Sequence, residues 1–301
     1  MLKFSKTLVL GTLFFALAAL SSSVLLAKDV EVKPEVREKT AWYDTANWLP
    51  EGQGWHSDLA NHYARFPMKW KDGINKEGRA GLWGNSQSCQ AGLFFRFRTN
   101  APQISVHYVL PSAPNGGNHM TGMCRHAVDL YGRSDDGKWL WMGVTKVRKQ
   151  EDTEHLGWTT GTMRDYILYL PLYGGVKKLE IGVSAKSEFH AVAPIEGKSI
   201  LYYGTSIAQG GCASRPGLAY TSMLGRRLDI PVINLGFSGC GRMELVMADV
   251  LAEVDPLVYV LDCGPNMSTE MVKERAAAFI KRLRTKRPTT PILMVEDQGW
   301  S

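Results

Sequence analysis

The chain has 301 residues, 45% of them hydrophobic and 21% charged, which excludes a disordered or fibrous protein and leaves length for two domains. Its formal charge of +6 includes Lys3 and Lys6 of a leader-like start, so the remainder is too mildly basic to suggest a nucleic-acid partner. The five cysteines, Cys89, Cys124, Cys212, Cys240 and Cys263, lack the Cys-x-x-Cys spacing of a zinc site.

Lys3 and Lys6 precede an apolar stretch from Leu8 to Leu20, followed by the small residues Ser21 to Ser23 and Ala27. That is the pattern of a secretory signal peptide over residues 1–27 and predicts export, to the periplasm or the exterior. Contact with a membrane is expected only through a leader left uncleaved, since the apolar run to Ala27 is about long enough to span a bilayer. An exported protein could bridge Cys89 with Cys124 or Cys212 with Cys240, but buried free thiols are the expectation.

Residues 28–193 read as a β-sandwich domain. From Trp42 to Ala193 come the segments "GLFFRFRT", "QISVHYVL", "HAVDLYG", "KWLWMGV", "DYILYLPLY" and "KKLEIGVSA", several alternating apolar with polar, divided by turn residues such as Asn115 to Gly117 and Asp135 to Gly137. Trp83, Trp139, Trp141 and Trp158 are expected in its core, with sugar stacking as the alternative. After "AVAPIEGKS" the rhythm changes to strand, helix, strand, the mark of a parallel sheet in an α/β domain over 194–301. Strands are predicted at Ser199 to Gly204, Val232 to Leu235, Leu257 to Cys263 and Pro291 to Val295. Helices are predicted at Ala219 to Leu228, Glu244 to Val254 and Thr269 to Lys286.

Ligands of such a sheet bind outside the carboxyl ends of its strands. Ser206 in "GTSI", Gly239 in "NLGFSG" and Asn266 in "GPN" each follow one of the first three strands. Taken alone, Ser206 reads as a helix N-cap and Asn266 as a turn residue. Together they are the parts of an acyl-transfer site: a hydroxyl nucleophile, and oxyanion donors from the N–H groups of Ser206 and Gly239 and the Asn266 amide, each such donor worth about 3 kcal/mol. The Gly-x-Ser-x-Gly elbow of α/β-hydrolases does not fit, because Ala208 stands where its second glycine belongs.

In order and at intervals of roughly thirty residues, one βα unit each, the three stretches resemble the first three blocks of the SGNH (GDSL-type) hydrolase superfamily. Thr205 replaces its usual Asp before the serine, and Met267 an Asp found in many members. The resemblance implies a flavodoxin-like α/β domain preceded by a jelly-roll β-sandwich, as in two-domain carbohydrate esterases. It assigns Ser206 as nucleophile and Gly239 and Asn266 to the oxyanion hole, with no metal or organic cofactor.

It also implies a histidine base from a C-terminal Asp-x-x-His block beyond a fifth strand. After "TPILMVED" only "QGWS" remains, and no histidine follows His190. The chain therefore reads as a C-terminally shortened enzyme, its α/β domain incomplete after the fourth strand. Asp297 is read as a turn residue. His190, nearest in sequence, and His119, in a Gly/Asn-rich loop, are weighed as cross-domain bases and not expected to serve; His107 is read as structural. The function expected is removal of acetyl or similar acyl groups from carbohydrates, the substrate a small-molecule or polysaccharide ester. The alternatives are an inactive carbohydrate-binding remnant and a lipase or aryl-esterase of the same superfamily.

Overall fold

A computed structural model of the chain describes residues 28–296. The leader, Asp297 and the last four residues lie outside them, so the readings made of those segments are not addressed by the structure. Among the described residues no helix is long and apolar enough to cross a membrane.

The first half holds strands β1 (Asp29–Val30), β2 (Glu35–Arg37), β3 (Thr40–Asp44), β4 (Phe94–Thr99), β5 (Gln103–Val109), β6 (Asp129–Arg133), β7 (Trp139–Val144), β8 (Glu151–Trp158), β9 (Arg164–Tyr169), β10 (Lys178–Ser184) and β11 (Phe189–Val192). They form two sheets, ordered β1-β11-β4-β9-β6-β7 and β2-β3-β10-β5-β8, antiparallel throughout. Alternate residues enter one core, with Phe95 and Phe97 of β4 meeting Ile104, Val106 and Tyr108 of β5 and Leu179, Ile181 and Val183 of β10. The polar edge strand β8 was missed by the sequence reading because most of its side chains face water and its apolar alternation is weak.

The second half contains β12 (Ile200–Gly204), β13 (Val232–Gly236), β14 (Val258–Asp262) and β15 (Ile292–Met294), a parallel sheet in the order β13-β12-β14-β15. These strands lie within the predicted spans or one residue beyond them. β12 and β13 are buried along their whole length, as covering both faces of a parallel sheet requires.

Part of the 28–193 span packs into the second core. Two short helices, α1 (Lys71–Glu77) and α2 (Leu82–Ser88), interrupt the sandwich strands, and α3 (Gly122–His126) follows β5. Phe66, Ile74 and Leu82 are fully buried against Leu201, Tyr203 and Leu235 of the parallel sheet and against Val246 and Met247. The last two belong to α6 (Leu245–Leu251), which with α7 (Thr269–Lys286) contributes to that core; α4 (Ser206–Gln209) and α5 (Tyr220–Leu228) precede them in the chain. The segment escaped the sequence reading because α1 buries a single residue and carries Gly73, leaving no apolar periodicity to detect.

Helix α5 faces the outside of the six-stranded sheet. The Arg226 guanidinium lies 3.9 Å over the Tyr131 ring, and Phe94, Tyr131, Ile167 and Tyr169 form a buried cluster there. Buried Asp129 completes the junction, accepting from the Trp141 indole at 2.9 Å and the Gly217 amide at 2.8 Å, with Arg215 at 3.3 Å. Of the four tryptophans expected in the sandwich core, Trp83 packs on the second core and Trp139 on the junction cluster. Trp141 and Trp158 are 51% and 76% exposed at the sandwich edges.

Truncating Ile74 to Ala should cost about 2–5 kcal/mol, because its neighbours belong to the rigid second core. Urea unfolding followed by circular dichroism measures this, and a change within error would place α1 outside the cooperative unit.

Candidate active site

The first three parallel strands end side by side, and their following loops are knitted together by backbone. Phe237 N–H donates to Gly204 O at 3.0 Å, and Thr205 N–H to Asp262 O at 3.1 Å. The Asn266 amide donates to Cys240 O, closing the third side. Ser206, Gly239 and Asn266 are thereby carried on three mutually bonded loops, as their strand-end positions predicted.

Ser206 is the first residue of α4 and its cap is Thr205, whose hydroxyl accepts from Ile207 N–H at 3.2 Å. The N-cap reading of Ser206 is thus answered. The cap is the preceding residue, and Thr at that position supplies the acceptor that Asp would. As the first helical residue, Ser206 has an N–H with no acceptor within the helix. Among the described residues no side chain hydrogen-bonds its hydroxyl, and the residue is partly exposed.

Gly239 is exposed at φ +68°, and a Cβ there would meet nothing within 4 Å. The left-handed conformation suits glycine. Gly241, at φ +72°, serves packing instead: a Cβ would fall 2.1 Å from Gly204 O. Asn266 lies in a 3-10 turn, Gly264–Asn266. With one amide hydrogen bonded to Cys240 O, its second remains to meet a ligand.

The residues that hold these groups were not visible in the sequence. Gln209, fully buried on α4, donates to Leu172 O of the sandwich at 3.0 Å and accepts from Ser238 N–H at 2.7 Å. Asn234 donates to Ala208 O at 2.8 Å and to the Thr221 hydroxyl at 2.9 Å, and accepts from Gly236 N–H at 2.8 Å. Arg65, from the first half, caps the end of β13 through Asn234 O at 3.2 Å and Gly236 O at 2.9 Å, its guanidinium 4.3 Å over the Phe237 ring. Burial pulls its pKa down to about 10. Tyr173 donates to Ser206 O at 3.3 Å; burial raises its pKa, opposed by a hydrogen bond from the neighbouring Ser238 side chain. No local pattern marks any of these, since each acts across at least two segments of chain.

Six of the seven histidines are engaged elsewhere. His190 sits on β11 beside Asp29 at 3.3 Å; His107 lies between Glu180 at 2.8 Å and Glu151 at 3.2 Å, structural as expected. His155 bonds Ser105, His126 Asn115, His62 Trp48 O and His56 Gln53. His119 is exposed in its loop. Among the described residues no group of His, Cys, Asp or Glu is arranged to hold a metal ion.

Residues 197–301 match the model of the GDSL-like Lipase/Acylhydrolase family, and residues 40–189 that of the N-terminus of Esterase_SGNH_hydro-type. Among solved structures, a chain from Bacteroides ovatus assigned as a GDSL-like lipase is 33% identical, with a TM-score of 0.75 over 85% of this chain and 73% of its own. The salicylyl-acyltransferase SsfX3 of a tetracycline biosynthetic pathway is 16% identical, with a TM-score of 0.58 over 88% and 68%. A family two carbohydrate esterase from Clostridium thermocellum, in complex with cellohexaose, is 14% identical, with a TM-score of 0.50 over 71% and 74%. At those identities the last two likenesses are of fold. No curated protein matches the chain.

Replacing Gln209 by Ala should leave Leu172 O and Ser238 N–H unpaired, costing about 1–3 kcal/mol for each group. Chemical denaturation measures the loss; an unchanged midpoint would mean that water replaces the amide without penalty.

Proposed function

Because the chain belongs to the GDSL-like lipase/acylhydrolase family of SGNH hydrolases, we propose that it is a serine esterase removing acetyl or similarly small acyl groups from carbohydrates, with Ser206 as its nucleophile. One observation carries this: Ser206 at the start of α4, exposed Gly239 with open space beside its Cα, and Asn266, with one amide hydrogen on Cys240 O, stand on three strand-end loops bonded to one another.

In this mechanism Ser206 Oγ attacks the ester carbonyl. The negative charge that develops on the carbonyl oxygen is met by the Ser206 and Gly239 N–H groups and the Asn266 amide. Collapse expels the sugar hydroxyl and leaves an acyl-serine, which water then hydrolyses. The Ser206 proton must pass to a base, which the family supplies as a histidine.

The carbohydrate assignment is supported by exposed Trp141 and Trp158, flat apolar surfaces of the kind on which sugar rings stack, and by the fold shared with the Clostridium thermocellum esterase. Arg215, 4.6 Å over Trp141, connects one of those surfaces to the loop that follows α4. Export through the leader belongs to the same proposal.

A second reading has one observation in its favour. Among the described residues none of the histidine hydrogen bonds reaches Ser206, so the rim would bind an acylated glycan without turnover. The two readings separate cleanly. The esterase hydrolyses 4-nitrophenyl acetate in preference to the octanoate, takes a fluorophosphonate label on Ser206, and loses both properties on Ser206→Ala. Asn266→Ala should lower kcat by about 10²–10³. A protein that binds an acetylated oligosaccharide, equally well as Ser206→Ala, but neither turns over nor labels is the binding protein. Preference for octanoate indicates a lipase.

A further inference from the structure

Helix α3 belongs to the first half of the chain, yet its Cys124 is 1% exposed and lies against the turn that follows α4. Cys124 Sγ is 3.9 Å from the Gly210 carbonyl oxygen. Gly210 and Ala213 close that turn through Ala213 N–H to Gly210 O at 3.2 Å, and Ala213 packs in the same apolar cluster as Cys124. Cys212 sits between these two residues. Its thiol is exposed, and its backbone is held at φ +65°, in the left-handed region that glycine would occupy without strain.

Cys212 is close enough to bear on the Cys124 thiol. Burial raises the Cys124 pKa, the Cys212 amide opposes the rise by hydrogen-bonding to it, and the Cys212 sulfur adds to it. The other three thiols are buried, each against a carbonyl: Cys89 at Tyr173 O, Cys240 at Ala80 O and Cys263 at Tyr203 O.

We propose that Cys124 and Cys212 are the two halves of a reversible disulfide that latches the sandwich to the turn behind the nucleophile helix. This pairing is neither of the two weighed for an exported protein, Cys89 with Cys124 and Cys212 with Cys240. All five thiols are free in this structure. The oxidant is a low-molecular-weight disulfide. The exposed Cys212, as thiolate, attacks one of its sulfurs, forming a mixed disulfide and releasing one thiol. The Cys124 thiolate then attacks the Cys212 sulfur and releases the second. Two protein thiols are oxidised with loss of two electrons and two protons, and the external disulfide is reduced to two thiols. Gly211 N–H donates to Ser206 O at 2.7 Å, so the bond would anchor the segment that carries the serine backbone. It would form whether or not Ser206 hydrolyses an ester.

The experiment uses the full chain, incubated with oxidised glutathione and then alkylated in denaturant. The expected result is two fewer alkylatable thiols than after dithiothreitol, and a single cross-linked peptide pair containing Cys124 and Cys212. The oxidised protein should melt at a higher temperature, and reductant should reverse the shift. Cys212→Ser, at an exposed position, should form no cross-link and show no redox-dependent shift. Cys124→Ser should retain glutathione on Cys212. Wild-type protein that holds glutathione on Cys212 while Cys124 stays alkylatable, or a cross-link between any other pair, overturns the proposal.

Discussion

The side chain of Gln209 ties together three pieces of chain that share no local sequence. It sits on α4, donates to the sandwich at Leu172 and accepts from the loop that carries Gly239. An oxyanion site depends on donors held in place before the charge appears, because donors that must reorganise during the reaction lose much of their advantage. For the oxyanion site proposed here, Gln209 would meet that requirement with an amide buried away from water.

Behind this bridge lies a second layer built from polar groups that would be costly if unpaired. Arg65 is buried without a carboxylate, its charge met by the carbonyls at the end of β13 and by the Phe237 ring. Asn234 pairs with α4 and α5 from the same strand. These contacts explain why the halves are not beads on a string. The first half supplies Arg65, Phe66, Ile74, Leu82 and Leu172 to the second, and Asp129 receives the Gly217 amide in return. Consequently the sandwich is part of the site's scaffold as well as a surface for exposed tryptophans.

Much of the parallel half was legible because its strands are nearly continuous apolar runs and its longest helix carries a clear apolar face. The predicted bounds of that helix, Thr269 to Lys286, coincide with the observed ones. The positions of Ser206, Gly239 and Asn266 were legible for a different reason: each follows a strand at its carboxyl end, the side of such a sheet where ligands bind. Strand β8 and helices α1 and α2 were not, because a polar edge strand and short helices with one or two buried residues leave no periodic signal.

The sequence by itself determined two rhythms, one antiparallel and one alternating, and with them the strand ends at which Ser206, Gly239 and Asn266 stand. That follows because periodicity and turn chemistry are local properties, written within ten or twenty residues. Tertiary structure alone decided that Thr205 and not Ser206 is the cap, that Gly239 has open space beside its Cα, that Trp141 and Trp158 are exposed, and that Cys124 lies against the turn bearing Cys212. Those are contacts between segments far apart in the chain, selected by which surfaces can be buried together and which polar groups must then find partners.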